Sequence, residues 1–335
     1  MKRIVTLLLA AGLVLGAAAG SQAADIKAKG NWTFSWQVGD QTFAKHSGKD
    51  NFTAKQRLRT QIDVIASESL KGVLFLEMGD QNWGKTADGA SLGTDGKIVK
   101  VRYSYVDWVI PQTDAKVRMG LQNFSLPGFA LPNVILGGGG ADGAGITLSY
   151  QFNDMAGMSL FWMRAENDNT TIDRGVGNAM DFVGLSVPLT GEGWQLNPWG
   201  MYGNLGKNSL NEVGENGESL IVGLLPYGQD GVSVVAKDSN NPAWWLGIGG
   251  ELTTFDPLRL AFDFAYGKAD WGKAANGQDL TRQGWLLSGI AEYKLDYVTP
   301  GLIAWYGSGD NSDTMDGSER LPTLSPGWGA TTLGW

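Results

Sequence analysis

The chain has 335 residues, a formal net charge of −8, one histidine and no cysteine. The lack of thiols excludes disulfides, thiolate metal centres and a cysteine nucleophile, and the acidic balance argues against nucleic acid as a partner. Apolar residues make up 43% of the sequence, yet past the first two dozen they alternate with polar ones, a pattern of strands and not of membrane-spanning helices.

Lys2 and Arg3 precede an apolar run over 4–15, and small residues follow up to Ser21-Gln22-Ala23-Ala24. A basic start, a short apolar stretch and a small-x-small site predict a cleaved export signal over 1–24. The run falls short of the ~20 apolar residues that a membrane anchor needs. Losing Lys2 and Arg3 with the signal makes the exported chain, 25–335, two charges more negative than the whole.

The first predicted strand, 26–38, places Trp32, Phe34 and Trp36 on one face and Lys27, Lys29 and Asn31 on the other. After a polar loop the second, 52–66, repeats the pattern more clearly. Leu58, Ile62 and Val64 share one parity, while Lys55, Arg57, Arg59 and Asp63 share the other. The third strand, 70–78, points Leu74 and Leu76 outward and Glu77 inward. The fourth, 98–110, is predicted to point Val101, Tyr103 and Tyr105 outward and Lys100, Arg102 and Ser104 inward. Asp107 then falls on the outward parity, which is tolerable only near the edge of an apolar layer. The fifth, 115–122, sets Lys116 and Arg118 inward. Eight more follow at 144–152, 158–165 (either phase), 180–187, 194–202, 244–253, 258–267, 282–293 and 301–308.

Strands greasy on one face and wet on the other, closed on themselves, are how β-structure crosses a bilayer. The reading is therefore all-β, an antiparallel transmembrane β-barrel of the outer membrane. Short turns and long loops alternate, as such barrels require, if 203–242 is one long external excursion that includes the apolar piece 219–227. Thirteen strands are predicted up to residue 308, and 310–335 reads as loop. Bacterial single-chain barrels have even strand numbers, so the expectation is that about three strands lie beyond the C-terminal end of this sequence.

The segments NPWGMYG (197–203) and AWWLGIGGELTTFDPLRLAFDFAYG (243–267) resemble the general diffusion porins of Gram-negative outer membranes, closest to the large porins of sulfate-reducing bacteria. The resemblance implies a homotrimer of sixteen-stranded barrels in lipid and lipopolysaccharide, with small hydrophilic solutes and ions diffusing through. It also implies that the third external loop folds into the lumen opposite a ladder of basic side chains. Here that loop is 123–143, where Pro127-Gly128-Phe129 and Gly140-Ala141-Asp142 resemble the family's Pro-Glu-Phe-Gly-Gly-Asp motif. Gly128 stands in place of the acid, which leaves Asp142 as the loop's negative charge.

The candidate ladder is Lys29, Lys55, Arg57, Arg59, Lys100, Arg102, Lys116 and Arg118. The bland alternative is a solvated face paired with Asp63 and Glu77. Lipid-facing placement is disfavoured, because Arg or Lys at the bilayer midplane costs about 2–4 kcal/mol. A ring of fixed charge tunes which ions enter a pore, so weak anion preference is expected. Catalysis is disfavoured: the single histidine, His46, lies in a loop with no acid at a recognisable spacing. No cofactor is implied. Asp310-Asn311-Ser312-Asp313 offers oxygen ligands without the spacing of a calcium loop. The competing reading is a structural or adhesive surface barrel with a plugged lumen.

Overall fold

The computed structural model describes residues 24–39, 51–93, 96, 98–137, 139–167, 179–206, 223–226, 241–274 and 276–324. Residues 1–23 of the predicted export signal, and His46, lie outside them. The described chain is all-β, and its strands are β1 (Asp25–Gly39), β2 (Asn51–Ser67), β3 (Leu70–Asn82), β4 (Lys100–Val109), β5 (Ala115–Phe124), β6 (Ala141–Asn153), β7 (Ala156–Glu166), β8 (Met180–Ser186), β9 (Leu189–Gly191), β10 (Trp194–Leu205), β11 (Asn241–Phe255), β12 (Leu258–Lys273), β13 (Asp279–Tyr293) and β14 (Gly301–Gly307). They belong to one antiparallel sheet in sequence order, with β9 off the main path. The thirteen predicted strands are all present. β9, which pairs with β10, is the addition, in a stretch predicted as turn. Two compact units divide the chain: residues 1–113 with 118–122, and residues 114–117 with 123–335.

In the first unit, β1 and β2 pair without interruption from Asp25↔Ile65 to Gly39↔Asn51. Their apolar face is open, with Trp32 63% and Trp36 59% exposed. The predicted parity of β1, β2 and β3 holds, and rows of paired residues can be traced across the strands. One row runs Asn31, Arg59, Glu77 and Lys100; the next runs Lys29, Gln61, Phe75 and Tyr103.

The second half of β4 departs from the prediction. Phe75 pairs with Tyr103 but Leu76 pairs with Val101, so Arg102 is an extra residue, a β-bulge. A bulge puts two residues against one and reverses the parity of the residues beyond it. Tyr103, Tyr105 and Asp107 therefore share the charged face with Glu77, and Ser104 falls on the apolar one. The outward placement of Tyr103, Tyr105 and Asp107 and the inward placement of Ser104 are corrected accordingly. Arg102 itself stays with the charged face, reaching Glu77.

The second unit is built differently, because both faces of its strands carry apolar side chains. On β7, Leu160 and Trp162 are exposed while Phe161 and Met163 are buried. This fixes the phase that alternation left open for 158–165. The buried side joins Phe182, Met201, Trp245 and Trp271 in one cluster, which also takes in Phe124 at the end of β5 and Leu131, Ile135, Leu224 and Leu321 from three connecting segments. Each fully buried side chain of this size is worth roughly 1.5–3 kcal/mol, so the segments are held by packing as well as by hydrogen bonds. Residues 223–226, within the predicted excursion, form a turn and no strand. Among the described residues, 310–324 hold no strand either, only a single bridge from Ser318 to Arg282.

Candidate functional site

Two places gather the residues that the sequence singles out. The first is the charged face of the first unit. Lys27, Lys29, Lys55, Arg57, Arg59, Lys71, Lys100, Arg102 and Arg118 stand there, and outnumber Asp25, Asp63, Glu77, Asp80 and Asp107. Arg59 Nε donates to Glu77 Oε2 at 2.6 Å and Arg102 Nη1 reaches the same oxygen at 3.3 Å. Lys55 and Arg57 meet Asp80 at 3.4 and 3.8 Å. Arg118 grips Asp107 with two parallel bonds, of 2.6 and 2.9 Å, and Lys71 stands 4.0 Å from the same carboxylate. Seven of the eight predicted ladder residues, all but Lys116, thus belong to this unit. Lys116, on β5, belongs to the second.

Glu77 is a partner as expected, but Asp80 and Asp107 are the acids that sequence reasoning missed. Asp107 is 5% exposed. A carboxylate so buried is stable as a charge only when paired and hydrogen-bonded, and the bidentate guanidinium supplies both needs. The misfit of Asp107 with its predicted face was the available signal, since an acid on the wrong parity argues for a shift of register upstream.

Aromatic rings stand among these charges. Phe75 and Tyr103 stack with centroids 5.2 Å apart and planes 17° from parallel. Arg102 lies 5.4 Å from the Tyr103 ring centroid, and Arg118 lies 4.1 Å from that of Tyr105, both inside the cation–π range of about 6 Å.

The second place is the segment of the second unit between β5 and β6, which contains Pro127, Gly128 and Phe129. Its tip is seated on β12. The Asp263 carboxylate accepts the backbone N–H groups of Phe129, Ala130 and Leu131 at 2.8, 2.7 and 2.8 Å. Arg259 donates to the Phe129 carbonyl at 3.2 Å while Glu251 and Glu292 hold its other nitrogens at 2.8 and 2.6 Å. Gly249 lies opposite Asp263 in the β11–β12 register. A Cβ there would overlap Asp263 Oδ1 and stand 2.9 Å from the Phe129 ring, so only glycine admits the tip.

Gly128, which replaces the acid of the resembled motif, is likewise a steric requirement. A Cβ at 128 would stand 2.8 Å from both the Leu131 carbonyl oxygen and Pro132 Cα. Asp142 opens β6 and accepts a bond of 3.0 Å from Asn123 Nδ2, an amide that also reaches the Gly139 carbonyl at 2.9 Å. It closes the base of the segment, whereas Phe129 lies at the tip. The roles of Asp263 and Arg259 were not predicted.

Further along the same core, Trp245 Nε1 donates to the Pro322 carbonyl at 2.9 Å and Trp271 Nε1 to that of Leu224 at 3.3 Å. Arg282 binds the Leu321 carbonyl through two nitrogens at 3.2 and 2.9 Å, and that of Leu225 at 3.3 Å. Around Asp310, the Asn311 amide bonds Glu319 and Asp316 at 2.8 and 3.1 Å. Among the described residues no three histidine or carboxylate side chains gather as metal ligands.

No family model matches the sequence, and no curated protein matches it. Among solved structures the chain is similar to OmpT, an outer membrane protein of Vibrio cholerae in its in-vitro folded trimer form, with 10% identity, 90% of this chain and 96% of that one covered, and a TM-score of 0.40. It is also similar to a porin refined at 1.8 Å resolution, with 10% identity, coverage of 84% and 83%, and a TM-score of 0.44. A loop L8 deletion mutant of the same Vibrio cholerae protein gives 12% identity, coverage of 88% and 96%, and a TM-score of 0.38.

Proposed function

We propose that this chain forms a transmembrane β-barrel of the outer membrane, a porin-type channel through which small hydrophilic solutes and ions diffuse passively. The observation that carries this reading is the two-faced construction of β1 to β4. One face exposes Trp32, Phe34, Trp36, Val64 and Val101, while the other holds fixed ion pairs such as Arg59 with Glu77 and Arg118 with Asp107. An aqueous protein would hide the first face; a bilayer covers it, and the second then lines water. The segment bearing Phe129 narrows the passage, the surplus of cations on the charged face gives weak anion preference, and the assembly is a homotrimer in lipid and lipopolysaccharide. The export signal over 1–24 directs it there. Solute passage is its work, and no chemical step is assigned to it.

Purified protein added to planar bilayers tests this. Stepwise openings in threes are expected, and a silent membrane containing folded, inserted protein would overturn the reading. The three connecting segments packed with Trp245 and Trp271 in the second unit favour a second reading, a plugged barrel serving as a surface scaffold. Silence in the bilayer together with trimers on the cell surface would select it.

A further inference from the structure

Rings on a hydrophilic sheet face call for an explanation. Phe75, Tyr103 and Tyr105 stand on the charged side of the first unit, two of them brought there by the bulge at Arg102. All three are partly exposed. Lipid does not account for them, because the exposed apolar side chains Trp32, Phe34, Trp36, Val64 and Val101 lie on the opposite face. A buried core does not account for them either, since on one side they adjoin Glu77 with its two arginines and on the other Asp107 with Arg118.

We propose that these rings form a subsite for aromatic carboxylates. The role in permeation rests on the channel reading, whereas the binding does not. Two features must coincide for such a ligand, a flat apolar surface and a positive edge. The parallel Phe75 and Tyr103 rings supply the surface, onto which a planar ring stacks with offset. The edge comes from guanidinium groups that are already oriented. Arg118 is locked against Asp107 by its two bonds and lies over Tyr105, and Arg102 lies beside Tyr103. Arginine presents five donors in a rigid fork, and Arg118 gives Nε and one Nη2 hydrogen to Asp107, so its guanidinium has further N–H groups to offer a second carboxylate. Among the described residues cations outnumber acids on this face, which sets the sign of the ligand. A simple inorganic anion uses the charge and wastes the rings, and a neutral arene does the reverse. An aromatic carboxylate uses both.

The test titrates the full-length exported protein in detergent with benzoate, with acetate as charge without ring and benzyl alcohol as ring without charge, monitored by calorimetry. The same three compounds are then added to open channels in planar bilayers. Benzoate is expected to bind more tightly than either control by roughly threefold to tenfold, the worth of one aromatic contact, and to reduce single-channel current over the same concentrations. Replacing Tyr103 and Tyr105 by Leu together is expected to remove that advantage and leave the acetate response unchanged. Phe75→Leu carries the same expectation if the double variant does not fold. Equal responses to benzoate and acetate, or an advantage that survives Phe75→Leu as well as the tyrosine changes, would overturn the subsite. Conductance with equal responses leaves the channel standing without the subsite. Benzoate binding to a protein that never conducts keeps the subsite and removes the channel.

Discussion

Asp263 and Leu131 are 132 residues apart in sequence and joined by a hydrogen bond of 2.8 Å. Phe129 and Ala130 donate to the same carboxylate, so one side chain on β12 fixes the tip of the segment between β5 and β6. Hydrogen bonds to a charged group are worth about 1.5–3 kcal/mol each, and leaving buried donors unmade costs a similar amount. Asp263→Ala is therefore expected to lower stability by at least about 3 kcal/mol. Asp263→Asn, which keeps one acceptor oxygen, should cost less. Thermal unfolding in detergent measures both, and an Ala variant as stable as the parent would remove Asp263 as the anchor.

Gly249 offers a milder route to the same release. A single methyl at this position displaces either the carboxylate or the Phe129 ring, so Gly249→Ala should expose the segment to proteolysis between residues 126 and 136 while the strands stay intact. Limited digestion with mass mapping reads this out. Unchanged resistance would show that the tip has room to shift.

Ion pairs on the charged face should differ in worth. Lys55 and Asp80 are both about two-fifths exposed, and such pairs contribute roughly 0.2–1 kcal/mol. Asp107 is buried, so Arg118→Ala removes its bidentate partner and is expected to cost up to about 3–5 kcal/mol. Replacing Asp107 and Arg118 together should cost less than Arg118→Ala alone, because the buried charge goes too. Denaturant titration of the single and double variants tests the order.

Selectivity should track the cations of β2 and β4. Combining Arg57→Ala, Arg59→Ala and Arg102→Ala removes three positive charges from one face and both arginine partners of Glu77, while Asp80 keeps Lys55. The weak anion preference proposed for the parent is expected to weaken towards no preference, since the cations and acids named on this face then nearly balance. Reversal potentials under a salt gradient measure this, and the difference should shrink as salt rises and screening shortens. Identical potentials for parent and variant would separate the ladder from selectivity.

The parts of the fold that were legible in the sequence are those where the two strand faces meet different surroundings. In β2 a charged face alternates with an apolar one, and parity placed Lys55, Arg57, Arg59 and Asp63 correctly. In β7 both faces are apolar, since Phe161 and Met163 lie under connecting segments while Leu160 and Trp162 are exposed, and alternation cannot choose between them. In β4 the count assumed one residue per step, and the bulge at Arg102 breaks that assumption without any glycine to announce it. The anchoring by Asp263 is a contact distant in sequence, so no local pattern encodes it.

The core around Trp245 also sets an order of events. Its indole donates to Pro322, 77 residues downstream, and the Leu324 amide donates to the Ile135 carbonyl at 2.8 Å. Strand pairs such as β1 with β2 assemble from neighbours, but this cluster draws on Phe124 near one end of its unit and Leu321 near the other. Contacts so distant in sequence form late, because the closure of long loops must be met before they reward it. During assembly the segment between β5 and β6 therefore has its strand anchor at Asp263 available before its full cover. Any factor that binds the chain during assembly meets these tryptophans while they are still bare.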